Sequence, residues 1–412
     1  LPRQDRPVGS IAEIFLAYLK LGLTCFGGPI AHLGYFRQEL VIRRRWLGEQ
    51  AYADLLAFCQ FLPGPTSSQV GFAIGMLRGG GLRGGLAAWL GFTLPSAVLM
   101  FAFALAAPHL TGPIALGALH GLKLVAVAVV AQAILGMARS LAPDLPRAAI
   151  ALAAFIVVLA WPGAGGQLAA IVMGALAGFI IPSPALAGEG GVHAAGDREV
   201  RQVAAGEPSL PISRRAGAAA LLIFAALFLI PAALAATAHG RLIDLFNAFY
   251  RAGALVFGGG HVVLPLLQSA MVAPGWISNQ LFLAGYGAAQ AIPGPLFTIA
   301  AYLGAIATPA PLPGAATSLI AIFLPGLLLV YAALPFWHGL RTRASAQAAI
   351  RGTNAAVIAL LAAALCTQLW PAAIRTPGDL IAALAGFLLL TTAKCPAWLL
   401  VALLATLEAV LF

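Results

Sequence analysis

The feature that most constrains this chain is a pair of apolar segments, each cut by glycine and proline, that recur in the same order in the second half. Ile11 to Leu40 is broken at Phe26-Gly27-Gly28-Pro29, and Ala51 to Leu77 at Pro63-Gly64-Pro65. Shifted by about 230 positions the landmarks return, and an ordered series at nearly constant offset marks an internal duplication. Phe26-Gly27-Gly28 reappears as Phe257-Gly258-Gly259, Trp46 as Trp276, and Leu94-Pro95 as Leu324-Pro325. Gln60 with Pro63-Gly64-Pro65 reappears as Gln290 with Pro293-Gly294-Pro295. Lys20 falls opposite Arg251, and Gly121 opposite Gly352.

Four further apolar runs follow in each half. In the first they are Gly84 to Ala107, Ile114 to Ala138, Arg147 to Trp161 and Gln167 to Ile181; in the second, Ala315 to Phe336, Thr353 to Trp370, Leu380 to Thr392 and Ala397 to Phe412. About 20 apolar residues cross a hydrocarbon core of roughly 30 Å, so these runs could cross the bilayer. Composition agrees: 61% of residues are hydrophobic and 9% charged, where soluble chains carry roughly a quarter charged residues. The expected fold class is an all-α polytopic membrane protein, which excludes a soluble enzyme. The pieces of the broken segments, mostly about 12 to 15 residues, are too short to span upright at 1.5 Å per residue. They read as half-helices meeting near the middle of the membrane.

The net charge of +10 is a matter of topology here rather than of nucleic-acid binding, since cytoplasmic loops collect Lys and Arg. Cys25, Cys59, Cys366 and Cys395 lie in or beside apolar segments without CxxC spacing, so neither a disulfide framework nor a zinc site is expected. Leu1 to Gly9 is short and charged with no small-residue cleavage site after the first apolar run, which predicts no removed signal peptide.

Four units follow: a first repeat over 10–181, a linker over 182–215, a connecting transmembrane helix over 216–236 and a second repeat over 240–412. The polar stretch Pro182 to Arg215 is the linker, and Ala216 to Ala236 has no counterpart in the first half. If each repeat crosses the membrane an even number of times, this odd helix inverts the second repeat. The arginines test that independently. Arg37, Arg43, Arg44, Arg45, Arg78 and Arg83 follow the broken segments of the first half, whereas Gln268 to Gln280 and Ile306 to Gly314 are uncharged. The next loop swaps the other way, with Ala107 to Pro113 uncharged and Arg341, Arg343 and Arg351 in Trp337 to Arg351. The positive-inside rule then puts these clusters, the linker and the N-terminus in the cytoplasm and the C-terminus outside, across a plasma (inner) membrane. Arg375 is the exception, balanced by Asp379.

Inverted repeats with glycine- or proline-interrupted segments at matching positions predict a transporter whose substrate lies where the repeats meet. A broken helix frees backbone groups that lipid cannot satisfy, and an N–H-rich helix start receives an anion. The candidate substrate-binding residues are therefore the glycine breaks (Gly27, Gly28, Gly258, Gly259), the turns Pro63-Gly64-Pro65 and Pro293-Gly294-Pro295, Gln60 and Gln290, and the hydroxyls Thr66, Ser67, Ser68 and Thr298. The bland alternative is that these are only turns and close-packing glycines.

Lys20 and Arg251 sit inside apolar segments, where a cation costs on the order of 3 kcal/mol or more unless it faces a cavity or partner. They are the candidate charge compensators, with snorkelling to the interface as the alternative. Lys123 and its equivalent Asn354 are further donors. His120 and His261 read as packing or water contacts. The acids Glu13, Glu39, Glu49, Asp54 and Asp244 fall near segment ends, so intramembrane carboxylates read as scarce and the substrate as anionic; Asp54 is the best candidate for ion coupling. No metal-ligand cluster or nucleophile–base pair appears, so no cofactor is expected and an enzyme acting on lipid-linked substrates is disfavoured, as is a non-transporting scaffold.

The duplicated Phe-Gly-Gly element, the following tryptophan, the Pro-Gly-Pro turns and the Leu-Pro helices resemble the chromate ion transporter family in its long-chain, two-domain form. The resemblance spans nearly the whole chain. It implies export of chromate, a tetrahedral dianion of sulfate-like shape, and chromate resistance; sulfate or another oxyanion, including exchange, is the alternative within transport. Pro95 and Pro325 would then kink gating helices in an alternating-access cycle. The symmetry departs at Gly260, opposite Pro29, and at Asn354, opposite Lys123. Besides substrate and lipid bilayer, self-association into a homo-oligomer stays open.

Overall fold

The computed structural model describes residues 9–26, 28–109, 112–180, 212–237, 240–257, 262–336 and 344–411, and these are helical with no strand among them. In chain order the first half contains α1 (Ile11–Thr24), α2 (Gly28–Phe36, continued by a π-helical turn Arg37–Arg43), α3 (Glu49–Phe61), α4 (Thr66–Arg78), α5 (Leu82–Ala106), α6 (Pro113–Leu141), α7 (Leu145–Ala160) and α8 (Ala164–Ala177). A connecting helix α9 (Arg214–Thr237) leads to α10 (Arg241–Ala254), α11 (Val263–Met271), α12 (Asn279–Ala291) and α13 (Ile299–Ile306), the last preceded by a 3-10 turn over Leu296–Thr298. The chain closes with α14 (Pro311–Ala333), α15 (Ala344–Ala364, continued to Ala373), α16 (Pro377–Thr391) and α17 (Ala397–Leu411). Gly27, Gly258, Gly259, His261 and most of the expected linker lie outside the described residues.

Among the described residues five helices are long and apolar enough to cross a membrane: Leu82–Ala106, Pro113–Leu141, Arg214–Pro231, Pro311–Phe336 and Gln347–Ala373. On α5, Leu86, Leu90, Leu94 and Val98 are exposed at i, i+4 spacing, while Ala88 and Phe92 are buried. That is the pattern of a helix with one face to lipid and one to protein, the reverse of a soluble amphipathic helix. Local signals set the starts. Ser10 caps α1 by accepting the Glu13 N–H at 3.0 Å, and Thr376 with Asp379 forms a capping box on α16, each meeting amides that a helix start leaves open.

The broken segments turn back on themselves. The Gly9 N–H donates to the Arg78 carbonyl at 2.9 Å, Arg78 reaches Glu13 at 3.3 Å, and the guanidinium groups of Arg44 and Arg78 both lie 5.5 Å from the Trp46 ring centre. The start of α1, the turn between α2 and α3, and the end of α4 therefore share one site, so α1–α2 and α3–α4 are hairpins rooted together. The second half repeats this root: Arg241 donates to the Ala307 carbonyl at 2.8 Å and stacks 4.4 Å from the Trp276 ring centre. The recurring tryptophans are thus the floor on which each pair of hairpins stands.

The halves interlock reciprocally. Within each, the first hairpin helix packs on the long Leu-Pro helix, α1 on α5 and α10 on α14. Between them, α6 packs against α16 and α17, and α15 against α7 and α8. Glycine permits both crossings: a Cβ on Gly121 would lie 2.4 Å from the Leu404 carbonyl oxygen, and one on Gly352 would lie 1.9 Å from that of Gly174. Such small-residue contacts let backbones approach where lipid provides no hydrophobic drive.

Candidate functional site

The hairpin tips of the two halves meet. The Gly64 N–H donates to the Val256 carbonyl at 2.7 Å, and the Gly294 N–H donates to the Cys25 carbonyl at 2.9 Å. These are the same bond written twice, the middle of each Pro-Gly-Pro turn bound to the residue before the other half's Phe-Gly. Both glycines have positive φ, +128° for Gly64 and +104° for Gly294, a region that side-chain-bearing residues avoid. A Cβ on Gly64 would fall 3.0 Å from the Gly326 Cα, and one on Gly294 would fall 2.7 Å from Ser96 Oγ. Each tip is therefore pressed on the other half's Leu-Pro helix, one residue past Pro325 or Pro95. Both prolines lie inside helices that continue through them.

Around the first tip the structure gathers buried polar groups. Helix α4 begins immediately after Pro65, which offers no side-chain cap, so its first-turn amides depend on partners from outside the helix. Ser67 and Ser68 are buried in that turn. His32, on α2 and 1% exposed, places Nδ1 3.4 Å from Ser67 Oγ and packs edge-on against Phe92 at 5.3 Å. Gln69 bridges the halves, donating to the Pro63 carbonyl at 2.8 Å and the Gly326 carbonyl at 3.3 Å. His32 Nε2, Ser68 Oγ and Thr93 Oγ1 are buried with no hydrogen-bond partner among the described residues, as is Gln290 Nε2 beside the second tip. An unpartnered buried polar group costs about 1–3 kcal/mol, and several along one pair of tips call for a ligand or ordered water. Uncharged donors at a helix start suit an oxyanion.

Comparison with known proteins puts this arrangement in context. The family profile described as "Chromate transporter" matches residues 12–179 and again 243–409. The chain belongs to the chromate transporter family. Among its relatives, a "Chromate transport protein" of Pseudomonas aeruginosa is 28% identical over 77% of this chain and 71% of its own. A "Probable chromate transport protein" of Synechococcus elongatus is 29% identical over 87% and 84%, and a "Chromate transport protein" of Cupriavidus metallidurans is 25% identical over 94% and 90%. No solved structure matches. This member of the chromate transporter family is a multi-pass membrane transporter, and the profile's two matches cover the two halves whose tips meet.

The sequence-predicted residues fall into three groups in this transporter. Pro63, Gly64, Pro65, Thr66 and Ser67 line the first tip, and Pro293, Gly294, Pro295 and Gln290 the second. Thr298 is buried there as well, but it gives its hydroxyl hydrogen to the Pro295 carbonyl at 2.8 Å. Gln60, equivalent to Gln290, is exposed. Gly28 begins α2 with φ +79° and open space around it. Lys20 is not a lone cation: it pairs with Glu39 at 3.0 Å, and Glu39 also takes Arg43 at 3.0 Å and Arg44 at 2.9 Å. Arg251 instead stacks over the Phe228 ring of α9 at 5.2 Å. Equivalent positions thus carry different partners, and neither cation hydrogen-bonds the tips among the described residues. Lys123 is 7% exposed, whereas Asn354 is half-buried.

The expectation that carboxylates avoid the apolar interior needs correction. Glu39 is 7% exposed, Asp379 5% and Glu408 6%. Asp379, expected to balance Arg375, instead accepts from the backbone N–H groups of Arg375 and Thr376 at 2.8 Å each and lies 2.9 Å from His120 Nε2. His120, Asp379 and Glu408 bring one ligand-type atom each within 4.8 Å of one another, a cluster that no local spacing announces. His32 was missed for a similar reason, although its place shortly after the Gly27-Gly28 break is a local signal.

Proposed function

We propose that this transporter exports chromate from the cytoplasm, that its two repeats are inverted with respect to each other, and that the dianion is held between the two Pro-Gly-Pro tips. The observation that carries the reading is the reciprocal pair of bonds, Gly64 to Val256 and Gly294 to Cys25, with unpartnered buried donors beside them. The α4 amides, His32, Ser67 and Ser68 ligate the oxygens from one side, and Gln290 from the other. Substrate identity rests on the family and on the names of its relatives.

A count of crossings supports the inversion. The first pair of hairpins returns to its own face; on this reading the long α5 and α6 and the shorter apolar α7 and α8 each cross once, and α9 crosses once more. The second pair of hairpins is then rooted on the opposite face, and the repeats 10–181 and 240–412, joined by the 182–215 linker and the 216–236 helix, approach each other tip to tip. With the N-terminus in the cytoplasm of an inner-membrane protein, the arginine-rich root at Arg43, Arg44 and Arg78 faces inward, as the positive-inside rule requires.

Export needs no further energy source in principle. Two negative charges moving outward across an inside-negative membrane gain about 4.6 kcal/mol per 100 mV, at about 2.3 per charge. The transport cycle is alternating access: the long helices carrying Pro95 and Pro325 reposition against the tips, and the site opens to one face at a time. The test is chromate accumulation in cells with and without the chain, under an imposed potential and with sulfate as competitor. Lower accumulation that depends on the chain, weakened by His32→Ala, supports the reading. Unchanged accumulation with verified membrane expression overturns it and moves sulfate or another oxyanion to the front.

A further inference from the structure

Away from the hairpin tips, α6, α16 and α17 bury a second polar constellation that anion binding does not use. His120 Nε2 lies 2.9 Å from Asp379 Oδ1, and Glu408 completes a group whose ligand atoms lie within 4.8 Å of one another. Glu408 is 6% exposed, Lys123 one helical turn from His120 is 7% exposed, and neither has a hydrogen bond or close ion pair among the described residues. Lys123 lies within electrostatic reach of Asp379 and Arg375. Burying charges costs several kcal/mol each unless partners compensate. The equivalent junction of α15 with α7 and α8 packs Ala154, Ala170, Ala355 and Ala356 in an apolar cluster and, although Arg351 holds the position equivalent to His120 with its Nε buried, it has no buried acids among the described residues. Helix packing alone therefore does not demand them.

We infer that His120, Asp379 and Glu408 form a proton-binding site that couples substrate transport to the proton gradient. This deepens the export reading and rests on it. A metal ion fits the group poorly: Asp379 already spends one oxygen on His120 and the other on two backbone amides, and Lys123 adds a repelling charge. A proton fits well. It binds the open carboxylate of Glu408 as an O–H, relieves the repulsion between two acids that share one imidazole, and leaves as the same proton on the other face, with no net chemistry. The charged and titratable groups facing the site are His120 and Lys123 from α6, Arg375 and Asp379 from α16 and its cap, and Glu408 from α17. The other elements packed against these helices bring Tyr286 from α12, Arg351 from α15 and Cys366 from its continuation, and no acid.

The site is placed to act on the tips. His120 lies about two turns into α6, roughly 10 Å along its axis. Beside it, a Cβ on Gly121 would meet the Leu404 carbonyl of α17 at 2.4 Å, and a Cβ on Gly287 of α12 would meet the Leu122 carbonyl at 2.2 Å. Helix α6 is thus wedged between the helix that carries Glu408 and the helix that ends at Pro293-Gly294-Pro295. A change in charge between α6 and α17 reaches the second tip through direct backbone contact.

The test uses the purified full chain in liposomes, with chromate flux measured under an imposed pH difference at clamped zero potential, and separately under an imposed potential. The expected result is a severalfold response of wild-type flux to the pH difference. Glu408→Gln and His120→Asn should still move chromate under potential but lose that response, with Glu408→Asp retaining it. Identical pH steps for every variant control for protonation of chromate itself. Potential-driven flux with no pH response in the wild type, or a full response in both variants, overturns the proton site and leaves the export reading standing. Absence of chromate flux under either gradient overturns both.

Discussion

The junction of α6 with α16 and α17 and the junction of α15 with α7 and α8 occupy the same place in the two halves, yet among the described residues only the first buries carboxylates. At the first, His120, Lys123, Asp379 and Glu408 are buried; at the second, Ile150, Ile171 and Leu360 pack with alanines. Backbones approach closely at both, through Gly121 at one and Gly352 at the other. The difference teaches that the backbone geometry shared by the two halves is set by where a Cβ cannot be, while the chemistry at each junction depends on side chains that this constraint leaves free. The hairpins differ in the same way. Phe282 to Gln290 of α12 are buried throughout, whereas Asp54 and Gln60 of α3 are exposed, so one hairpin is docked and its equivalent stands open.

The largest effect is expected at the paired tips. Gly64→Val and Gly294→Val should each abolish chromate flux in liposomes while leaving detectable protein in the membrane, because a side chain at these φ values costs about 1–3 kcal/mol in strain alone and collides with the opposite half. Loss at one tip and normal flux at the other would break the equivalence of the halves. Next, Gly352→Leu should lower the thermal midpoint of the purified protein, overpacking costing typically about 1–3 kcal/mol; an unchanged midpoint would mean that the apolar junction is looser than its contacts indicate.

A smaller effect separates the donors around the tips. Ser68→Ala should weaken chromate binding roughly tenfold, about 1.4 kcal/mol, for loss of one hydrogen bond to a charged ligand. Thr298→Val should change binding less, since that hydroxyl already serves Pro295, and equal losses in a binding titration would refute the distinction. The mildest perturbation is labelling. In a background lacking the four native cysteines, Gln60→Cys should react with a maleimide and Gln290→Cys should be protected. If the hairpins exchange roles during transport, chromate with an imposed potential narrows that gap in rate, and a gap that never moves would make the asymmetry static.

Much of this architecture was legible because membrane helices declare themselves by continuous apolarity. The runs Gly84 to Ala107 and Ile114 to Ala138 emerged as α5 and α6 with ends shifted by a few residues, and the Pro-Gly-Pro turns emerged as tips because glycine and proline act locally. Lys20 was legible as an intramembrane cation, but its partner Glu39 was not, since the contact depends on α2 folding back beside α1. His32 and Glu408 were invisible as site residues for the same reason: one polar letter in an apolar run has no meaning until its neighbours are known.

The sequence by itself determined the solvent, the helix count in outline, the duplication and the positions where helices must break, because each depends on hydropathy or on backbone freedom within a few residues. The tertiary structure alone decided that the broken segments are hairpins, that each tip bonds to the other half, and that Asp379 serves His120 rather than the Arg375 guanidinium. These are contacts between residues tens to hundreds of positions apart, whose energies depend on distance in space, and no local pattern along the chain encodes that distance.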